Sequence, residues 1–81
     1  MTRILFFGRL SDLAEAQDVS LPDDVTDTEA LRGWLSARDA RLGEALARPG
    51  IKVALNQAIL PAPAPVGPGD EVAFLSPLSG G

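Results

Sequence analysis

The residues best suited to chemistry stand at the end of the chain, Ser76-Pro77-Leu78-Ser79-Gly80-Gly81. The sequence has no cysteine and no histidine, so it holds no thiol nucleophile, no imidazole base and no thiolate or imidazole metal ligand. No Asp-rich loop of EF-hand spacing occurs either, and no metal site is expected. What the ending supplies is a carboxylate at Gly81 on a narrow lead. Gly80 and Gly81 carry no Cβ, so an enclosing tunnel can close on their backbone from both sides. Pro77 cannot donate to a sheet ladder and holds an extended φ, so the segment should peel away from the sheet before it. The six residues of Ser76–Gly81 would reach about 20 Å when extended. A carboxylate so placed reads as the working group of the chain. A run of small residues at a chain end is also what an inert terminus looks like. Context separates the two: Glu71-Val72-Ala73-Phe74-Leu75 is strongly strand-like and enters the ending with no turn or cap between.

The rest of the chain must position that ending. Its 81 residues make one domain, near the lower limit for a core without staples, and 46% apolar content is enough for compact packing. Seven basic residues against eleven acidic ones give a net charge of −4. That balance argues against nucleic acid, whose phosphates call for a basic face, and permits a partner with a basic surface. No apolar stretch is long enough to span a bilayer, and Met1-Thr2-Arg3 leads into a strand rather than a signal peptide. A soluble, cytoplasmic protein with no membrane partner is expected.

Arg3-Ile4-Leu5-Phe6-Phe7 reads as the first strand, stopped by Gly8, with Ile4 and Phe6 on one face and Leu5 and Phe7 on the other. Residues 10–16 read as one or two helical turns and Gln17 to Leu21 as a short strand. Thr26-Asp27-Thr28-Glu29 fits a capping box, Thr26 accepting from the Glu29 amide. The helix it opens carries Leu31, Trp34 and Leu35 as an apolar stripe and continues from Asp39 to Ala47 with Leu42 and Leu46. Gly33 within it is costly unless a close approach to the sheet requires it. Ile51 to Asn56 is the next strand, Asn56-Gln57 a turn and Ala58-Ile59-Leu60 a short edge strand. The proline-rich run 61–69 reads as a stiff surface connector without regular hydrogen bonding.

Strands at both ends with one main helix between them suit an α+β domain of β-grasp type, a mixed sheet packed on that helix. Its first and last strands lie parallel at the centre, with 8–70 as the crossover. Phe7 and Leu75 then emerge side by side on the face away from the helix, near Leu5. Exposed contiguous hydrophobes mark a binding surface, unless neighbouring loops half-cover them. The expected division is a domain over 1–75 and a tail over 76–81.

Three stretches carry a resemblance: Ile4-Leu5-Phe6-Phe7-Gly8-Arg9-Leu10, Val53-Ala54-Leu55-Asn56-Gln57 and the run from Gly69 to Gly81. They resemble the sulfur-carrier small subunits of molybdopterin synthase, the MoaD family, over essentially the whole chain. The resemblance implies the ubiquitin-like β-grasp fold and a chemistry done on this protein rather than by it. A partner similar to ubiquitin-activating enzymes would use ATP to adenylate the Gly81 carboxylate, and a sulfur donor enzyme would convert the adenylate to a thiocarboxylate. The tail, with Pro77, Leu78, Ser79 and Gly80 inserted, would then deliver sulfur in the large synthase subunit. There cyclic pyranopterin monophosphate becomes molybdopterin, and no cofactor would be bound by the small subunit itself. The contact surface it implies is Phe7, Ile59 and Leu75, in a heterotetramer of two small and two large subunits. Other readings stand beside it: a related carrier for thiamine, cysteine or tRNA thiolation, a protein modifier conjugated through Gly81, or a β-grasp binding module with an inert tail.

Overall fold

The computed structural model of the chain describes residues 1–77. It runs β1 (Thr2–Phe7), a 3-10 helix (Gly8–Asp12), β2 (Gln17–Val19), α1 (Thr28–Arg38), α2 (Ala40–Leu46), β3 (Lys52–Leu55), β4 (Ala58–Ile59) and β5 (Glu71–Leu75). The strands form one sheet in the order β2-β1-β5-β3-β4. Its central pair, β1 and β5, is parallel, with Arg3 opposite Glu71 and Phe7 opposite Leu75. All the other pairs in the sheet are antiparallel. This is the β-grasp arrangement expected from the order of elements. No helix among the described residues is long and apolar enough to cross a membrane.

The alternation along the two central strands divides the sheet into two faces. Ile4, Phe6, Val72 and Phe74 turn to the helical side and join Leu31 and Leu35 of α1, Leu42 and Leu46 of α2, and Leu10, Val25 and Val66 in one buried cluster. The rings of Phe6 and Phe74, paired across the parallel ladder, stack with centroids 5.9 Å apart at 17°. Trp34 packs at the edge of this cluster, half-buried, and the Arg38 guanidinium lies 4.4 Å from its ring centroid, covering the outer face of the indole.

The expected single helix is two, and Asp39 is the reason. It takes an extended backbone (φ −147°, ψ 105°) that no helix interior allows. From there its carboxylate accepts from the amides of Arg41 (3.0 Å) and Leu42 (3.2 Å), capping α2, while its own N–H closes α1 on the Leu35 carbonyl. The helices pack closely: a Cβ at Gly43 would stand 2.7 Å from the Ser36 Cβ. The expected capping box is also displaced by one residue. Asp27, not Thr26, caps α1, its carboxylate accepting from Ala30 N–H at 2.7 Å. Thr26 and Thr28 are used elsewhere. Val66 N–H donates to the Thr26 carbonyl, Thr28 N–H to the Ala64 carbonyl, and the Thr28 hydroxyl accepts from Ala64 N–H. The proline-rich connector is therefore tied to the start of α1, contrary to the expectation of a loop without regular bonds. Residues 10–16 are helical only as far as Asp12, in 3-10 form.

The turn that launches β5 is fastened to the β3–β4 hairpin. Asn56 and Gln57 both take positive φ (50° and 71°), as a two-residue hairpin turn of the primed type requires. The Asn56 side chain donates to the Asp70 carboxylate at 3.0 Å and accepts from Glu71 N–H at 2.9 Å, and Gly67 N–H donates to the other Asp70 oxygen at 2.9 Å. The bond from Asn56, then that from Gly67, holds the Asp70 pKa below its usual value. A lowered folded pKa adds stability above the unfolded carboxylate value, about 3.9, and that stability is lost as pH falls through the folded value. Asp70→Ala should therefore lower the urea midpoint at neutral pH, and the gap to the parent protein should narrow as the pH is taken below about 3.9.

The glycines of the helices give a second prediction. A Cβ at Gly33 meets nothing within 4 Å, so the close approach that would justify it is absent. Gly33→Ala should stabilise the fold by up to about 1 kcal/mol through helix propensity. Gly43→Ala, forced against Ser36, should destabilise it by about 1–3 kcal/mol. Chemical denaturation of the two variants should move the midpoint in opposite directions.

Candidate functional site

β5 does not release the chain at Leu75. The ladder runs one residue further, with Ser76 N–H donating to the Phe7 carbonyl at 3.4 Å. The Ser76 hydroxyl accepts from Arg9 N–H at 2.7 Å and donates to the same Phe7 carbonyl at 3.3 Å. Arg9 N–H is aimed this way because Gly8 takes φ +67° and turns β1 abruptly into the 3-10 helix. A Cβ at Gly8 would collide with the Ser76 hydroxyl, so this approach needs glycine twice over, for its torsion and for its space. Pro77, exposed, lies against Gly50, where a Cβ would come 2.8 Å from the proline Cγ. On the helical side of this root is an open groove whose charged lining is Arg9, Arg41 and Arg48 with Asp12 and Glu44. The charge beside the exit thus leans positive although the chain carries −4 overall.

The other side of the root is the outer face of the sheet. One cross-strand row reads Leu5, Ala73, Ala54 and Ile59, and the next reads Phe7, Leu75 and Lys52. Phe7 is 47% and Ile59 56% exposed, while Ala73 and Ala54 between them are buried. Leu5 and Leu75 are half-buried. The alanines make a low floor, bordered by Phe7, Leu5 and Leu75 on one side and Ile59 on the edge strand. The result is a shallow apolar surface contiguous with the point where the chain leaves the sheet.

Sequence comparison agrees with this geometry. The ThiS family profile matches residues 4–81. The chain belongs to the ThiS family. Two curated proteins are similar along their whole length: the molybdopterin synthase sulfur carrier subunit of Haemophilus influenzae is 35% identical over 81 residues, 100% of both chains. That of Escherichia coli is 33% identical over 81 residues, again 100% of both.

In this ThiS-family chain the structure brings Phe7 and Leu75 together as sequence alternation required, and it places Ile59 on the same face one row away. Of the expected tail residues only Pro77 is described; Leu78, Ser79, Gly80 and Gly81 lie outside the described residues. Sequence reasoning missed the grip on Ser76. Gly8 stood in the sequence as a strand stop, and nothing at Gly8 or Gly50 announces a contact with residues 68 and 27 places further on. The alanine floor had a signal: Ala54 and Ala73 are the small residues at outward positions of two adjacent strands. Gly8→Ala should cost at least about 1 kcal/mol from the left-handed torsion alone. It should also displace the Ser76 hydroxyl, which would be read as faster amide exchange at Arg9.

Proposed function

We propose that this chain is the sulfur-carrier small subunit of a molybdopterin synthase. The observation that carries the reading is the full-length similarity to two sulfur carrier subunits of that enzyme, at 35% and 33% identity. The geometry supports it. A strand at the centre of the sheet hands the chain directly to its ending, beside an apolar surface with Phe7 and Ile59 exposed and Leu75 half-buried, on which a partner can dock.

In this proposal Gly81 is the group on which the chemistry is done. A free carboxylate is a poor electrophile. An adenylating partner of the ubiquitin-activating type would spend ATP on it, releasing pyrophosphate and leaving an acyl-adenylate. Sulfide sulfur from a donor enzyme would then displace AMP, giving the thiocarboxylate. Pro77, Leu78, Ser79 and Gly80 would carry this group into the large subunit, which supplies the catalytic residues. Two charged carriers in succession would furnish the two sulfurs of the dithiolene formed from cyclic pyranopterin monophosphate. Each carrier would return as the carboxylate, its replacement oxygen coming from water. The small subunit needs no cofactor of its own for this, and a cytoplasmic location and a heterotetramer of two small and two large subunits belong to the same reading. In this reading Ser76, the first residue of the tail, is held to Phe7 and Arg9 by hydrogen bonds, and the working lead would begin at Pro77.

The test is an intact mass of the protein isolated gently from its native cells, with fragmentation at the C-terminus. A population in which sulfur replaces one oxygen at Gly81, accompanied by the large subunit, is the expected result. The same modified Gly81 with a thiamine, cysteine or tRNA-thiolation enzyme as companion would assign the chain to a related pathway. A plain carboxylate after incubation with ATP, the adenylating enzyme and a sulfur source would refute the carrier reading.

A further inference from the structure

We propose that Ser76 is a positioning residue that fixes where, and in what direction, the working tail leaves the domain. The inference rests on the sulfur-carrier reading and adds to it a residue that acts through the tail without touching the transferred sulfur. Three bonds meet at Ser76: its N–H and its hydroxyl both donate to the Phe7 carbonyl, at 3.4 and 3.3 Å, and the hydroxyl accepts from Arg9 N–H at 2.7 Å. Two glycines with positive φ, Gly8 (+67°) and Gly50 (+89°), stand where a Cβ would strike Ser76 and Pro77 respectively. The chain is thus seated in a notch with no room for side chains at Gly8 or Gly50, and its origin is set to within a hydrogen bond's tolerance.

Phe7 links this seat to docking. Its carbonyl holds Ser76, and its side chain, in a residue 47% exposed, belongs to the apolar surface beside the exit. A partner that docks on the ring therefore receives a tail whose starting point is fixed relative to that same residue. Beyond Pro77 the remaining four residues span at most about 14 Å. With so short a lead, loosening its root at Ser76 would spread the positions the terminus can reach and lower its effective concentration at a fixed acceptor. Releasing Ser76 should leave docking intact and slow delivery.

The experiment compares the parent with Ser76→Ala, which removes both hydroxyl bonds, and Ser76→Thr, which keeps a hydroxyl in place. Phe7→Arg serves as the docking-defective control. Each full-length protein, as its thiocarboxylate, is mixed with the large subunit and precursor in single turnover. Affinity for the large subunit and amide exchange at Arg9 are measured separately. Loss of the hydroxyl bonds should slow sulfur transfer by Ser76→Ala about threefold to tenfold. Its affinity should stay within about twofold of the parent, as for a surface change outside the interface. Arg9 exchange should quicken, and Ser76→Thr should restore both rate and protection. Transfer by Ser76→Ala at the parent rate would overturn the proposal, as would unchanged Arg9 exchange, or a loss of affinity equal to the loss of rate, the pattern expected of Phe7→Arg. A parent protein that transfers no sulfur at all would overturn the carrier reading itself, and the positioning role with it.

Discussion

Everything in this domain depends on the parallel pairing of β1 with β5. Parallel neighbours cannot be joined by a tight turn, so the 63 residues from Gly8 to Asp70 must leave the sheet and return. That obligatory crossover carries the helices that cover one face and the hairpin that extends the sheet. The same pairing sends both strands out at the same end of the molecule. Phe7 and Leu75 arrive there together, and the carbonyl of one strand's last residue is available to the first residue beyond the other.

The two faces of this sheet are built to different rules. On the helical side large residues interlock: Phe6 stacks on Phe74, with Ile4, Val72 and the leucines of both helices filling the space around them. On the outer side Ala73 and Ala54 form a low floor, with Leu5, Phe7 and Leu75 of the central pair beside it and Ile59 on the edge strand. An outer face with leucine or phenylalanine at 54 and 73 would bulge and demand a cover of its own. With alanines it is flat enough for another protein to cover it. The apolar character of both faces of β1, odd for a sheet with helices on one side only, is accounted for once that outer face is read as a place for a partner.

How much of this was legible in the sequence depended on distance along the chain. Period-two alternation in Ile4–Phe7 and Val72–Leu75 disclosed the strands and their faces, because burial on one side imposes that pattern locally, and the order of the elements disclosed the central pair. The helix anchors Leu31, Leu35, Leu42 and Leu46 were equally plain from their spacing. The break at Asp39 had a local cue, an aspartate ahead of a helical run, but an uninterrupted apolar spacing outweighed it. The start of α1 was misplaced by one residue because Thr26 and Asp27 are both competent caps. The choice between them was made by a third party, the proline-rich connector, which engages Thr26 and Thr28. Ser76 was the extreme case. A serine between a strand and a proline carries no sign of its partners, and the glycine that makes room for it lies at the other end of the sequence.

Placing the first and last strands at the middle of the sheet reverses the usual distribution of stability along a chain. Termini ordinarily fray while central segments persist. Here the edges of the sheet are β2 and β4, both drawn from the interior of the sequence, and the innermost hydrogen bonds belong to residues near its two ends. No partial structure can keep its core while shedding either outer segment, because each is half of the central pair. Opening from an end and opening altogether become the same event. Under the proposed carrier role, in which the ending would enter the sites of other proteins, a pull on the tail would be borne by the most cooperative part of the molecule rather than by its weakest.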